Sequence, residues 1–345
     1  MSKKYAESGV DIAAGDAASR VAAAAAKKTF SARAGFFGTP VDLPGGFAGI
    51  LDFGDFYAVQ CCDGVGTKIE LAEKNDFFDE LGADLLAMVA DDAACVGAET
   101  VSIVNTFDVE KIDAAKIEKM MTGLANICAA QKVAIVGGEI AELGKLVHGA
   151  TWNATALGVL EKTKFISGEK IKPGDAIISL FEAGFRANGF SLVRKILREN
   201  HLEISDLAKK CLRGSTVFSG GILEIVGRFQ KPKKAEIHGI AHITGGGIPG
   251  NLRRILPKNL GADFFDLFSP SAEMQKLKSL GEISTREFFE VWNAGNGMLV
   301  VAPPSDAEKI VEILKSQNIS AKIAGKITEN PEIEIAAWTG EKIVF

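Results

Sequence analysis

At 345 residues, 47% hydrophobic and 24% charged, the chain is long enough for two domains of ordinary size, each burying its own core. A formal charge of −5 argues against a nucleic-acid partner, so any anionic ligand has to be held by local groups. No stretch reaches the uninterrupted apolar length of a membrane span, and five cysteines without paired metal-ligand spacing argue against a disulfide framework or a zinc site. A cytoplasmic protein with reduced, mostly buried thiols is expected.

In chain order, AASRVAAAAAKKTF has helical propensity, but its alanines bury little, so a helix or an arm that orders around a ligand is expected. TPVDLPGGFAGILDF reads as a loop leading to a strand, FYAVQCC as a short strand, and DGVGTK as the loop that ends it. ELGADLLAMVADDAACVGA carries Leu81, Leu85, Leu86 and Met88 at helical spacing and places Asp91 and Asp92 near the helix C-terminus. Strand ETVSIVNTFDV, a helix capped by Asp113, strand VAIVGGE and strand TWNATALGVLE follow, which suggests helices covering a sheet. Lysines and a KPGD turn mark the domain boundary, giving expected domains of 1–165 and 166–345. The second half repeats strands and helices and closes in a hairpin across TGEK. The expected fold is α/β (α+β) with two domains: an N-terminal sheet with covering helices, then a C-terminal α/β sandwich domain.

The chemistry is concentrated at strand ends. In CCDGVGTK the order Gly66-Thr67-Lys68 fails the P-loop pattern, and Ile69 stands where a dinucleotide fingerprint needs its third glycine. What remains is a loop whose glycines let backbone N–H groups approach an anion, with Asp63 offering a hard oxygen and Lys68 a positive charge, as Mg²⁺-triphosphate would need. A turn-forming aspartate is the competing reading for Asp63 alone. Asp91 and Asp92 oppose the helix dipole unless a cation compensates them, and Glu139 and Glu142 follow a strand beside Gly137 and Gly138. HITGGGIPG sets three glycines before a helix start at Pro249, which suits phosphate or a phosphoribosyl group, with a tight structural turn as the alternative. Of four histidines only His242, beside that loop, is a functional candidate, and a structural role at a strand end is the favoured reading.

YAESGVDIAAGDA, CCDGVGTKIELA, GADLLAMVADDAACVGAE, VAIVGGEIAEL, NGFSLVRKIL, AHITGGGIPGNLRRILP and WNAGNGMLVV, in that order over nearly the whole chain, resemble the phosphoribosylformylglycinamidine cyclo-ligase (aminoimidazole ribonucleotide synthetase) family. The resemblance implies ATP-dependent ring closure of formylglycinamidine ribonucleotide in purine biosynthesis, through a phosphorylated amide. It further implies a homodimer whose core is the N-terminal domain, ATP and Mg²⁺ as cofactors, and K⁺ as a candidate third. By motif match Asp63, Asp92 and Glu139 would hold or orient Mg²⁺-ATP, and Lys68 would offset phosphate charge. Asp11, Gly64, Gly66, Thr67, Gly137 and Gly138 would line the nucleotide, while Asn188, Gly189 and the loop Thr244, Gly245, Gly246, Gly247 would face the substrate. Asp63, Lys68, Asp92 and Asn188 are the expected catalytic set.

The chain also departs from the family pattern. Phe185-Arg186-Ala187 stands where Leu-His-Ser is common, Asp91-Asp92 where Asn-Asp is usual, and Ile140 where threonine is usual. The stretch before Trp152-Asn153 is shortened, and an aspartate common there is absent. Another ATP-using enzyme of the same superfamily, such as a thiamine monophosphate kinase, and a non-catalytic nucleotide-binding homologue are therefore the alternative readings.

Overall fold

The computed structural model describes residues 12–43 and 46–345. Helix α1 (Ile12–Lys27) is exposed over residues 17–27, as its alanine-rich sequence implies. Strands β1 (Thr39–Val41), β2 (Gly49–Asp52) and β3 (Phe56–Gly64) lead to helices α2 (Lys68–Asn75) and α3 (Leu81–Cys95). Strand β4 (Glu99–Val109), helix α4 (Ala114–Gln131), β5 (Ala134–Glu142) and β6 (Ala150–Glu161) complete the first half. Asp113 caps α4 as expected, its Oδ1 accepting from the N–H groups of Ala115 and Lys116.

Among the described residues the first sheet has the order β1-β2-β3-β6-β4-β5, antiparallel except for the β4–β5 pair. Its two faces differ. On one, Val59, Cys61, Ile103, Ala154 and Ala156 are buried beneath the helices. On the other, Gln60, Cys62, Val104, Thr106 and Leu157 lie exposed. Helix α3 is apolar nearly all round and buried accordingly, with β3, β4 and β6 on one side and elements of the second half on the other. It crosses α4 closely because Gly82 leaves room, since a Cβ there would lie 2.2 Å from the Leu124 nitrogen.

The second half adds β7 (Ala176–Phe181), α5 (Phe190–Glu199), α6 (Asp206–Cys211), α7 (Ser219–Val226), β8 (Gly239–His242) and α8 (Gly247–Arg253). It continues through β9 (Gly261–Phe264), α9 (Ala272–Leu280), α10 (Thr285–Val291), β10 (Asn296–Ala302), α11 (Pro304–Ser316), β11 (Ala321–Thr328), β12 (Ile333–Ala336) and β13 (Lys342–Val344). The seven strands order as β13-β12-β9-β11-β7-β10-β8, and β12 with β13 forms the hairpin read from TGEK. Strands β8 and β10 are buried at every position. Two sheets with packed helices, one in each half, make the α/β two-domain architecture that the sequence leads one to expect. Helix α3 packs on β8 and α7, so the acids it carries stand where the halves meet.

Candidate active site

Asp63 ends β3, with its side chain on the helix-covered face of the sheet like Cys61 and Val59. Its Oδ1 accepts from the Gly64 N–H at 2.7 Å. Asp63 keeps contact with solvent, yet the protein packed around it pushes its carboxyl up to about 6; the Gly64 N–H opposes that rise and the Asp92 charge adds to it. Gly64 is required by close approach, because a Cβ there would stand 2.1 Å from Asn153 Oδ1. Gly66 takes a positive φ of 54° and passes near the Ala187 carbonyl, so the DGVGTK loop touches the second half directly.

Asp92 projects from α3 toward the end of β8, where its Oδ1 meets His242 Nδ1 at 2.8 Å. Burial raises the Asp92 carboxyl to about 7, against the pull of Arg254 and Arg186. Burial also lowers His242 to about 3, helped by Arg186 and Arg254 and opposed by Asp91, so the imidazole is neutral at pH 7. His242 Nε2 is buried and finds no hydrogen-bond partner among the described residues. Its structural role is real, but the bond to Asp92 brings it into the site. The signal that could have found it was its place directly before the glycine loop.

That loop is a tight turn. The Gly247 N–H bonds to the Thr244 carbonyl at 3.0 Å, and the Asn251 amide holds the carbonyls of Thr244, Gly245 and Gly247. Gly247 has a positive φ of 59°, and a Cβ on it would fall 1.8 Å from the Phe289 carbonyl oxygen. Gly246 also has positive φ. Asn188 lies beside this turn, its Oδ1 3.8 Å from where a Gly245 Cβ would sit, and Gly189 opens α5 against the Trp292 indole. Asp63, Asp92, Asn188, and His242 with Gly245 therefore converge from four separate segments.

Two expected members are placed elsewhere. Lys68 is fully buried, ion-paired to Asp84 at 2.6 Å and donating to the carbonyls of Arg213 and Arg186 at 2.7 and 3.2 Å. Its ammonium is committed to joining the halves, which removes it as the counter-charge for phosphate. Glu139 stands exposed on β5, in the register row Gly64, Asn153, Thr106, Glu139. With β6 and β4 between, three strand spacings separate it from Gly64 by about 14 Å. Within one chain it does not join Asp63 and Asp92, and the described residues hold no cluster of three metal-ligating side chains. Gly137 and Gly138 share that edge strand, and Gly138 faces the Asn105 carbonyl so closely that a Cβ would reach 2.5 Å. Thr67 stands at the N-cap position of α2 without a side-chain capping bond. Asp11 lies outside the described residues.

The cation that answers Asp91 is a protein group. Arg186 Nη2 pairs with Asp91 Oδ2 at 2.6 Å, and the N–H groups of Phe218 and Ser219 donate to Oδ1. At the mouth of the site stands Arg254, exposed, 3.8 Å from the Phe47 ring centroid and donating to the Gly46 carbonyl. The sequence reading passed over it.

Residues 45–160 match the model of the AIR synthase related protein N-terminal domain and residues 172–337 that of its C-terminal domain. A phosphoribosylformylglycinamidine cyclo-ligase from Pyrococcus furiosus is 38% identical over 95% of this chain and 96% of its own, and one from Thermococcus kodakarensis is 35% identical over 96% and 97%. Among solved structures, a chain of the HypE–HypF complex superposes with a TM-score of 0.62 at 20% identity, covering 87% of this chain and 92% of that one. Phosphoribosylformylglycinamidine synthase II from Thermotoga maritima gives 0.62 at 17% identity, covering 88% of this chain and 46% of that one. These two likenesses establish the fold; the sequence relatives and both domain models establish more. The chain belongs to the phosphoribosylformylglycinamidine cyclo-ligase family.

Proposed function

We propose that this protein closes the imidazole ring of aminoimidazole ribonucleotide from formylglycinamidine ribonucleotide at the expense of ATP. The observation that carries the reading is the convergence of Asp63, Asp92, His242 and Asn188 where the halves meet, at a site with carboxylates and glycine turns but without an activated nucleophile. Such a site suits chemistry that needs positioning and charge neutralisation.

Two carboxylates held above their ordinary range form a donor set that a hard divalent cation relieves, and Mg²⁺ characteristically takes one or two carboxylates together with substrate phosphates. Asp63 and Asp92 would hold it, and Arg254 at the mouth would offset phosphate charge in place of Lys68. Bound Mg²⁺-ATP supplies the phosphoryl group that turns the amide oxygen into a leaving group, after which an internal nitrogen displaces phosphate. His242 Nδ1 orients Asp92, and Asn188 with the Thr244–Gly247 turn lies against the substrate. Residues 1–165 carry the metal ligands and the nucleotide loop, and residues 166–345 carry the substrate together with Arg254 and His242, which act on the phosphates and on Asp92. K⁺ is a further activator to be tested by replacement with Na⁺. A reaction of this pathway belongs in the cytoplasm, in keeping with described helices that are all too short or too polar to cross a membrane.

The test of the chemistry is isotopic. With ¹⁸O in the formyl amide of the substrate, the label is expected in the released phosphate; phosphate that takes its oxygen from water would contradict the reading.

The same proposal includes a homodimer through the open face of the first sheet. Val104 is 40% exposed, Leu157 42% and Val136 66%, apolar area that a second copy of the same face would cover. Leu157→Asp is expected to convert a dimer into a monomer by light scattering; an unchanged mass would remove this face from the interface.

A further inference from the structure

A set of ionisable side chains at the junction has no place in the chemistry above. Asp91, Glu182 and Arg186 are each at most 1% exposed, together with Lys68 and Asp84. Arg186 lies at their centre. Its Nη2 reaches Asp91 on α3 at 2.6 Å, its Nη1 reaches Glu182 at 3.1 Å and the Thr216 carbonyl at 3.0 Å, and its guanidinium carbon lies 5.1 Å from the centroid of the Phe218 ring. Its own backbone is left-handed, with φ of 57°, a conformation that costs energy for a residue with a Cβ and persists only when the surroundings hold it. Here they do, because the Arg186 carbonyl accepts from buried Lys68.

The consequence falls on the neighbours. Two residues after Arg186 comes Asn188, and one residue after Asp91 comes Asp92. The pair thus ties the loop presenting one site residue to the helix presenting the other, across the two halves of the chain. Glu182 anchors the start of the same loop, accepting from the N–H groups of Gly184 and Thr216.

We propose that Arg186 is a positioning residue, which fixes Asn188 against Asp92 by bridging Asp91 of the first half and Glu182 of the second. The inference rests on the cyclo-ligase reading only in taking Asn188 and Asp92 to face its substrates. Arg186 does not touch the reacting atoms, so its removal is felt in kcat through misplacement, with KM moving less.

The test is a cycle of Arg186→Met, Asp91→Asn and the double variant, with Arg186→Lys as a milder member that keeps the charge but cannot bridge two carboxylates. Each single change is expected to lower kcat for aminoimidazole formation, Arg186→Met on the order of 100-fold and Asp91→Asn less, since Glu182 still holds the guanidinium. Because Asp91 acts on this loop only through Arg186, the double variant is expected to lose no more than Arg186→Met alone, with Glu182 left unpaired in both. Arg186→Lys should be folded and intermediate. Amide hydrogen exchange over residues 183–189 reads the clamp without any substrate, and is expected to be faster in both singles, with the double no faster than Arg186→Met. A double-variant loss equal to the product of the singles, or singles with wild-type kcat and exchange and only a lower unfolding midpoint, would overturn the proposal. A wild type without turnover would bring down the cyclo-ligase reading alone, because the exchange measurement would still decide the clamp.

Discussion

Two clusters of ionisable groups lie side by side where the halves of this chain meet, and they differ in how far they are answered. In one, Lys68, Asp84, Asp91, Glu182 and Arg186 pair with one another and with backbone groups of Arg213, Thr216 and Phe218, so that each charge meets an opposite charge although Arg186 Nε itself finds no hydrogen-bond partner among the described residues. In the other, Asp63 has one hydrogen bond from its own neighbour, Asp92 has His242, and His242 Nε2 has no hydrogen-bond partner among the described residues. Both clusters contain carboxyl groups raised by burial. Buried charge as such therefore does not mark the site. Charge that the protein leaves unanswered does, because a ligand is what remains to answer it.

The largest break in this contrast comes from the answered cluster. Lys68→Met leaves Asp84 buried beside Ser215 without its cation, and unfolding by denaturant should register a loss of about 3–5 kcal/mol. Loss of activity without loss of stability would instead return Lys68 to the chemistry.

Asp63→Asn should behave in the opposite way, reducing kcat on the order of 100-fold or more while the fold is retained. Its pH signature sharpens the contrast. A carboxyl raised to about 6 in the fold binds a proton that the unfolded chain has already released above about 4, so the wild-type Asp63 weakens the fold progressively as pH rises between those values. His242, lowered by burial, contributes the opposite slope at acidic pH, but it is present in both proteins and cancels in the difference. Asp63→Asn is thus expected to gain stability relative to wild type from pH 4 to 6 and to hold that gain above it. A flat difference would show that Asp63 is not desolvated. Mg²⁺-ATP should also raise the wild-type unfolding midpoint by mass action and raise that of Asp63→Asn much less.

The smallest effect belongs to exposed pairs. Lys119→Ala breaks a pair with Asp76, which is 75% exposed at its side chain, and should cost below about 0.5 kcal/mol. A larger cost would mean that position in the fold matters less than the contrast requires.

The sequence made the elements legible because their signals are local: the Asp113 cap, the apolar run of α3, and glycine turns after strands. Asp63 and Asp92 were legible for the same reason, as acids at the ends of apolar elements. Lys68 was misread because its partners are distant in the chain; Asp84 lies on another helix and the Arg213 carbonyl is 145 residues away. Glu139 lies away from Asp63 within the chain because the last strand of the half, β6, inserts between β3 and β4 and pushes β5 to the edge, which no local signal shows. The substitutions Asp91 and Arg186 were each visible as departures from the family pattern. That they answer one another at 2.6 Å, 95 residues apart, needed the fold.

The central claim is that the unanswered cluster performs ATP-dependent ring closure, and the most direct measurement is ADP formation by the purified protein with Mg²⁺ and formylglycinamidine ribonucleotide, followed together with the aminoimidazole product. The account predicts equal amounts of both in the wild type, ADP formation that depends on the substrate, and neither product from Asp63→Asn. ATP binding with no substrate-dependent ADP, or ADP without aminoimidazole, would contradict it.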